Sequence, residues 1–178
     1  MVTARELGYF PQLINTNASI LQKRLLNPGW KNFLSDIDIL IVSLDSLRPS
    51  VLSDVYKTTM PEHVVRNLLA LHELSKEYRF KLMINCVIMP GLIEDAHDVL
   101  DLANELGLFF CGVPQNVGPR AAGGLLADPE YQAFVAKLLK RHREGKKFAG
   151  SYRMNERLYT GAKVNCRNSL KPHIDFDG

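Results

Sequence analysis

The chain alternates between short apolar runs of strand length and longer stretches in which apolar residues recur every three or four positions. The first pattern predicts β-strands and the second predicts amphipathic helices. Strands are predicted at residues 10–14, 37–43, 80–89 and 108–113. A helical pattern follows each of them, so the sequence consists of four strand-helix units.

Residues that commonly start and stop helices mark the helical stretches. Pro61 and Pro129 stand where the first turn of a helix tolerates proline, Asp128 can cap the second of these helices, and Gly107 suits the position after a helix end. Beyond Gly145 the regular pattern fades. Helices are predicted over 18–26, from 61 to about 78, from 93 to 106 and from 129 onward.

Alternating strands and helices with short links predict a parallel sheet, either closed toward a barrel or doubly wound. No GxGxxG lies between a strand and a helix, and neither GxxxxGKS nor GxxxxGKT occurs. Dinucleotide and P-loop sites therefore lose their main support. The predicted fold class is α/β, a partial (β/α) barrel with parallel strands and four strand-helix units.

Small polar residues gather where the predicted strands end. Ser43 and Asp45 share one face of the second strand, Asn85 lies on the third, and residues 15–17 (NTN) follow the first. Function in both fold types sits at the carboxyl ends of strands, so these side chains predict a pocket for a small polar molecule with amine, carboxylate and ribose groups. The alternative is structural: such residues also cap helices and solvate turns.

Metal chemistry has little support in the sequence. Cys86, Cys111 and Cys166 are too few for a disulfide framework and match no CxxC spacing. The five histidines form no HExxH motif. We expect Cys86 and Cys111 to be buried structural thiols.

Composition narrows the function classes further. The 178 residues have room for one core, and the net charge of +3 does not indicate a nucleic-acid partner. The longest apolar stretches are too short to cross a membrane, and the N-terminus lacks a secretory signal pattern. We therefore expect no membrane partner and a cytoplasmic location.

Three runs of residues carry a family resemblance. Residues 13–18 (LINTNA), 39–46 (ILIVSLDS) and 83–87 (MINCV) resemble the third, fourth and fifth strands of radical S-adenosylmethionine (SAM) enzymes, whose motifs commonly read TNG, S-x-D and a strand-borne asparagine. The resemblance covers about residues 7–119. Ala18 stands where that family usually has glycine.

The resemblance implies a site and its cofactors. Ser43, Asp45 and Asn85 would contact SAM through its amino acid or ribose portions, and Thr16 and Asn17 would line the same pocket. The complete enzyme would use a 4Fe-4S cluster to cleave SAM reductively, and the 5′-deoxyadenosyl radical so formed would modify a substrate that the sequence does not identify. A flavodoxin or ferredoxin would supply the electron.

The sequence departs from the family in one large respect. It contains no CxxxCxxC loop, which holds the catalytic cluster through three thiolates, and no GGEP-like stretch. We expect an N-terminally incomplete protein in which residues 1–145 are the C-terminal portion of the core barrel. Alone, such a chain would bind no catalytic cluster.

The last residues resemble a second feature of that family. Tyr159, Cys166 and residues 174–178 (IDFDG) are similar to the opening of a cysteine-rich SPASM-type extension that holds an auxiliary cluster. Residues 146–178 would then be its incomplete start, with Cys166 as a possible first metal ligand. A lone unpaired cysteine is the alternative.

Two other function classes stay open from the sequence. One is a non-catalytic truncated barrel that acts through a partner, because an incomplete barrel exposes sheet edges and apolar surface. The other is an ordinary barrel lyase or isomerase, which would need a Schiff-base lysine or an acid/base pair at a strand end. Lys81 begins its strand instead.

Overall fold

Four parallel strands form the centre of the computed structural model, which describes residues 5–19, 27, 29–57, 61–117, 120–121 and 123–162. The strands are adjacent in chain order, so every link between them is a crossover of the same kind. Residues beyond β4 form a small antiparallel pair. The strands are β1 Leu13–Thr16, β2 Ile39–Ser43, β3 Lys81–Ile88, β4 Phe109–Pro114, β5 Asn116–Val117 and β6 Arg120–Ala121.

Helices alternate with the strands, and one helix after each of β2, β3 and β4 packs on the sheet. Within the described ranges no helix is long and apolar enough to cross a bilayer. The helices are α1 Gly29–Asp36, α2 Pro49–Tyr56, α3 Glu62–Tyr78, α4 Ile93–Glu105, α5 Gly123–Ala127, α6 Pro129–Arg143 and α7 Tyr152–Thr160.

Alternate strand positions divide the sheet into two unlike faces. The covered face lies under the helices and contains the buried residues Leu40, Val42, Leu82, Ile84, Cys86, Ile88, Phe110 and Gly112. The open face is only partly buried and contains Asn15, Ile39, Ile41, Ser43, Met83, Asn85, Val87, Phe109, Cys111 and Val113. A parallel sheet covered on one side is the architecture of a partial barrel, which confirms the predicted fold class.

The covered face supplies one side of the hydrophobic core. Val64, Leu68 and Leu71 of α3 are fully buried, as their helical spacing predicts, whereas Leu69 is exposed. Helix α4 buries Val99 and Leu100 in the same core. Burying each such aliphatic side chain contributes about 1.5–3 kcal/mol, so the helices are held mainly by this face.

The first predicted unit differs most from the structure. Strand β1 begins at Leu13 and not at residue 10, because its register is set by pairing of Leu13 with Ile39. The predicted helix over 18–26 does not start at Ala18, whose φ of +56° lies outside the helical region. Residues 20–26 lie outside the described residues.

Helices α1 and α2 were not predicted. Both are eight residues long, and α2 buries only Leu52 completely. Two turns give too few apolar repeats for a 3.6-residue period to stand out. By contrast, α6 begins at Pro129 with the Asp128 side chain accepting hydrogen bonds from the first turn, as predicted.

The chain after Gly145 continues the alternation of strand and helix, which the sequence pattern did not predict. Phe148 forms a parallel bridge to Phe110, and the Ala149 N–H donates to the Phe110 carbonyl at 2.9 Å. Helix α7 follows, and the Tyr159 hydroxyl donates to the Gly112 carbonyl at 3.1 Å. The residues up to 162 therefore share the core of the sheet, while the division at residue 145 stays a prediction.

Replacing Gly112 by alanine tests this packing. An added Cβ would lie 3.0 Å from both Phe110 Cε1 and Tyr159 Oη, and 3.2 Å from Ile88 Cδ1. We expect Gly112→Ala to lower the free energy of unfolding by about 1–3 kcal/mol, measured by urea denaturation. Gly124→Ala is the matched control, because its Cβ would meet nothing within 4 Å. Equal stability of the Gly112→Ala protein and the wild type would show that α7 does not pack here.

Candidate polar site on the open face

A row of polar side chains crosses three strands on the open face. Ser43, Asn85 and Cys111 are successive register partners on β2, β3 and β4. The Ser43 hydroxyl also donates to Asn15 Oδ1 of β1 at 3.2 Å. The Asn85 side-chain amide has no hydrogen-bond partner within the described part of the chain. This row presents a hydroxyl and two amides that a ligand could use.

Apolar side chains border the polar row on both sides. Ile41, Met83 and Phe109 lie two residues before it on the same strands, and Val87 and Val113 lie two residues after it. All five are partly buried. A narrow polar strip between apolar strips suits a small molecule that combines flat or aliphatic parts with a few hydrogen-bonding groups.

Asp45 does not join this row. Strand β2 ends at Ser43, so alternation no longer fixes the direction of the Asp45 side chain, which is 5% exposed. Its Oδ1 accepts a hydrogen bond from the Val87 N–H at 2.6 Å, and its own N–H donates to the Tyr56 hydroxyl at 3.1 Å. Burial raises the pKa of the Asp45 carboxyl. Its role in binding a cofactor stays a prediction.

Thr16 and Asn17 make local turns. Thr16 pairs with Val42 in register and therefore belongs to the covered face, opposite Ser43. Its Oγ1 accepts from the Ala18 N–H at 3.0 Å, and Asn17 Oδ1 accepts from the Ser19 N–H at 3.1 Å. These two residues were expected in the same pocket as Ser43. Of the predicted residues 15–17, register places Asn15 on the open face with Ser43 and Thr16 on the covered face. A role of Thr16 and Asn17 in binding a cofactor stays a prediction.

The loop after β2, residues 44–48, is tied to helix α4 through one carboxylate. The Ser46 hydroxyl and both Nε and Nη2 of Arg48 donate to Asp95, with Arg48 Nε 2.8 Å from Oδ1. Asp95 is 1% exposed. The hydrogen bonds from Arg48 and Ser46 hold the pKa of the Asp95 carboxyl below its ordinary value, against the effect of burial.

The cysteines occupy different environments. Cys86 is fully buried on the covered face, as expected. Cys111 was expected to be buried in the same way, and that expectation is wrong: register places it beside Asn85 on the open face, where it is partly exposed. Burial raises the pKa of both thiols, more strongly for Cys86. Cys166 lies outside the described residues.

The described residues do not bring together the ligands of a catalytic 4Fe-4S cluster. Cys86 and Cys111 point to opposite faces of the sheet. Across the described ranges, no group of three His, Cys, Asp or Glu side chains could hold a metal ion. The described residues therefore do not fit the cluster that the resemblance implies, and the auxiliary cluster at Cys166 stays a prediction.

An acid/base pair for an ordinary lyase or isomerase is not assembled at the strand ends that the structure describes. Lys81 is exposed at the start of β3, away from the carboxyl ends of the strands. Asp45, two residues after Ser43, accepts a hydrogen bond from the Val87 N–H. That function class gains no support from the geometry.

Comparisons with known proteins give a fold and not a family. Neither a protein-family profile nor a curated protein sequence matches the chain. The crystal structure of Streptococcus suis SuiB matches with a TM-score of 0.56 at 16% identity over 84% of this chain and 34% of that chain. The structure of SuiB bound to S-adenosylmethionine matches with a TM-score of 0.56 at 15% identity over 84% of this chain and 35% of that chain.

The chain thus spans about a third of the length of either SuiB structure. At this identity the likeness concerns the fold alone, and it supports the arrangement of parallel strands and alternating helices described above. The SPASM-type extension and the cytoplasmic location stay predictions.

Alkylation kinetics test which face each cysteine occupies. In a Cys166→Ser background, we expect iodoacetamide to modify Cys111 slowly in the native protein and Cys86 at least about tenfold more slowly, because burial blocks access and disfavours the thiolate. Peptide mass spectrometry gives both rates. Equal native rates would contradict the face assignment, and equal rates in urea serve as the control.

The pH dependence of stability tests the burial of Asp45. A carboxyl whose pKa is raised by folding stabilises the protein below its unfolded-state pKa, and this contribution is lost as pH rises through the folded-state pKa. Asp45→Asn keeps an acceptor for the Val87 N–H but removes the charge. We therefore expect the variant to be at least as stable as wild type at pH 7, with its relative advantage shrinking toward pH 4.

Urea denaturation at both pH values measures this difference. Asp101→Asn is the control, since the Asp101 side chain is 44% exposed and pairs with Lys137 at the surface. Loss of about 1 kcal/mol or more at pH 7 in the Asp45→Asn protein would mean that the structure needs the charged carboxylate.

Proposed function

We propose that this chain supplies the SAM-binding side of a radical SAM-type barrel. The observation that carries the proposal is the polar row on the open face, in which Ser43 and Asn85 are register partners and Asn15 contacts Ser43. SAM offers ribose hydroxyls, a carboxylate and an amine to such donors and acceptors. SuiB, whose fold is similar to that of this chain, is bound to SAM in one of the two matching structures, and this supports the proposal.

The chain's own residues would bind and orient SAM. Ser43 Oγ, whose proton goes to Asn15, would accept a hydrogen bond from a ribose hydroxyl. The Asn85 amide, which has no partner among the described residues, would offer both a donor and an acceptor. The apolar side chains beside the row would exclude water from the bound molecule. SAM, when bound, supplies a sulfonium group whose carbon-sulfur bonds can be cleaved.

The proposal gives this chain no part in holding a catalytic cluster. The reductive cleavage of SAM and the substrate that the radical would modify belong to a complete enzyme. The electron donor, a flavodoxin or ferredoxin, is proposed for that enzyme alone.

Association with another polypeptide through the exposed edge at β1 is the second candidate. Leu7, Tyr9, Phe10 and Leu13 are more than half exposed, and β1 pairs only with β2 among the described strands. Exposed apolar side chains next to an unpaired strand edge favour binding to another polypeptide. Such a chain would associate without needing SAM.

Calorimetric titration of the chain with SAM tests the proposed function. We expect saturable binding, and we expect Ser43→Ala and Asn85→Ala each to weaken it about three- to tenfold, the effect of losing one hydrogen bond of about 1 kcal/mol. Ser50→Ala is the matched control, because Ser50 is exposed at the start of α2.

Absence of SAM binding by a folded wild-type chain would contradict the proposal. Binding that survives both substitutions unchanged would contradict the assigned residues. Self-association on size exclusion without SAM binding would favour the second candidate.

A further inference from the structure

The β2 loop, residues 44–48, directly follows Ser43 of the proposed site, and its contacts go to the strand-helix unit that carries Asn85. The Leu44 N–H donates to the Asn85 carbonyl at 2.9 Å, and the Asp45 carboxylate accepts from Val87. These contacts extend the β2–β3 pairing past the end of β2. The position of the loop therefore depends on the position of β3.

Asp95 fastens the far end of the same loop. It stands in the first turn of α4, the helix that follows β3, and its side chain is 1% exposed. Arg48 approaches it with two guanidinium nitrogens, one on each carboxylate oxygen, and Ser46 donates to Oδ1. A two-pronged, charge-assisted contact fixes direction as well as distance.

The Arg48 side chain is 59% exposed while its partner is buried. The Arg48 backbone N–H also donates to the Ser46 hydroxyl at 2.9 Å, so the loop is closed on itself before it meets Asp95. A carboxylate in the first turn of a helix is further favoured by the helix dipole. Three hydrogen bonds and the helix end therefore hold one carboxylate in one place.

We propose that Asp95 is the positioning residue of the candidate SAM site: through Ser46 and Arg48 it fixes the β2 loop, and the loop holds the end of the β2–β3 pairing that sets Ser43 beside Asn85. This inference rests on the proposed function for its ligand. Asp95 itself does not reach the open face. Its effect on binding must pass through the loop.

Amide hydrogen exchange in the absence of SAM tests the structural half of this inference. In Asp95→Asn, which keeps one acceptor but loses the charge, we expect the Leu44 and Val87 amides to exchange about tenfold faster. The Ala149 amide, bonded to Phe110 on the far strand, reports global opening and should not change. Asp101→Asn is the matched control on the same helix, since Asp101 pairs with Lys137 at 2.7 Å.

Faster exchange confined to Leu44 and Val87 supports the inference. Unchanged exchange there, or equal acceleration of all three amides, overturns it. If Asp95→Asn does not fold, Arg48→Lys serves instead, because lysine keeps the charge but cannot form the two-pronged contact.

SAM titration of the same variants tests the functional half. We expect Asp95→Asn to weaken SAM binding about tenfold at a temperature where the protein is fully folded, and Ser43→Ala to add little in that background. Unchanged affinity, or fully additive losses, would overturn the positioning role. A wild-type chain that binds no SAM would end the proposed function, while the exchange measurement would still decide whether Asp95 holds the loop.

Discussion

Helices cover only one face of the parallel sheet, and the rest of this structure depends on that constraint. Because successive side chains of a strand point to opposite faces, that cover assigns each strand residue to the core or to the open side. Val42, Ile84 and Phe110 are buried together, and Ser43, Asn85 and Cys111 are brought together one position later. The candidate site is thus a direct product of strand register.

Register alone does not fix the groups that lie beyond the strand ends. Past Leu44, whose N–H still donates to the Asn85 carbonyl, the chain is held by side chains: Asp45 on Val87, and Ser46 and Arg48 on Asp95. The pKa values of these two carboxyls shift in opposite directions: burial raises the pKa of Asp45, whereas the hydrogen bond and charge of Arg48 lower the pKa of Asp95. Burial favours the neutral form of Asp45, whereas the contact with Arg48 favours the charged form of Asp95. The loop is therefore held by one buried acceptor and one ion pair.

The sequence predicted those parts of the fold that depend on local pattern. Strands β2 to β4 and the long helices follow from apolar periodicity, and so does the shared face of Ser43 and Asn85. Periodicity could not place β1, whose register is set by pairing with Ile39, so it could not tell which of residues 15–17 shares the face of Ser43.

Asp95 could not be predicted as a partner of the β2 loop, because 47 residues separate it from Arg48 and no local spacing links them. Cys111 could have been assigned correctly, since it alternates with the buried Phe110. The most direct test of the account is amide chemical-shift mapping of the chain titrated with SAM. We predict perturbations at Ser43, Asn85 and Cys111 with none at Tyr131 and Leu139, which are buried on α6; perturbations confined to α6, or none anywhere, would contradict the account.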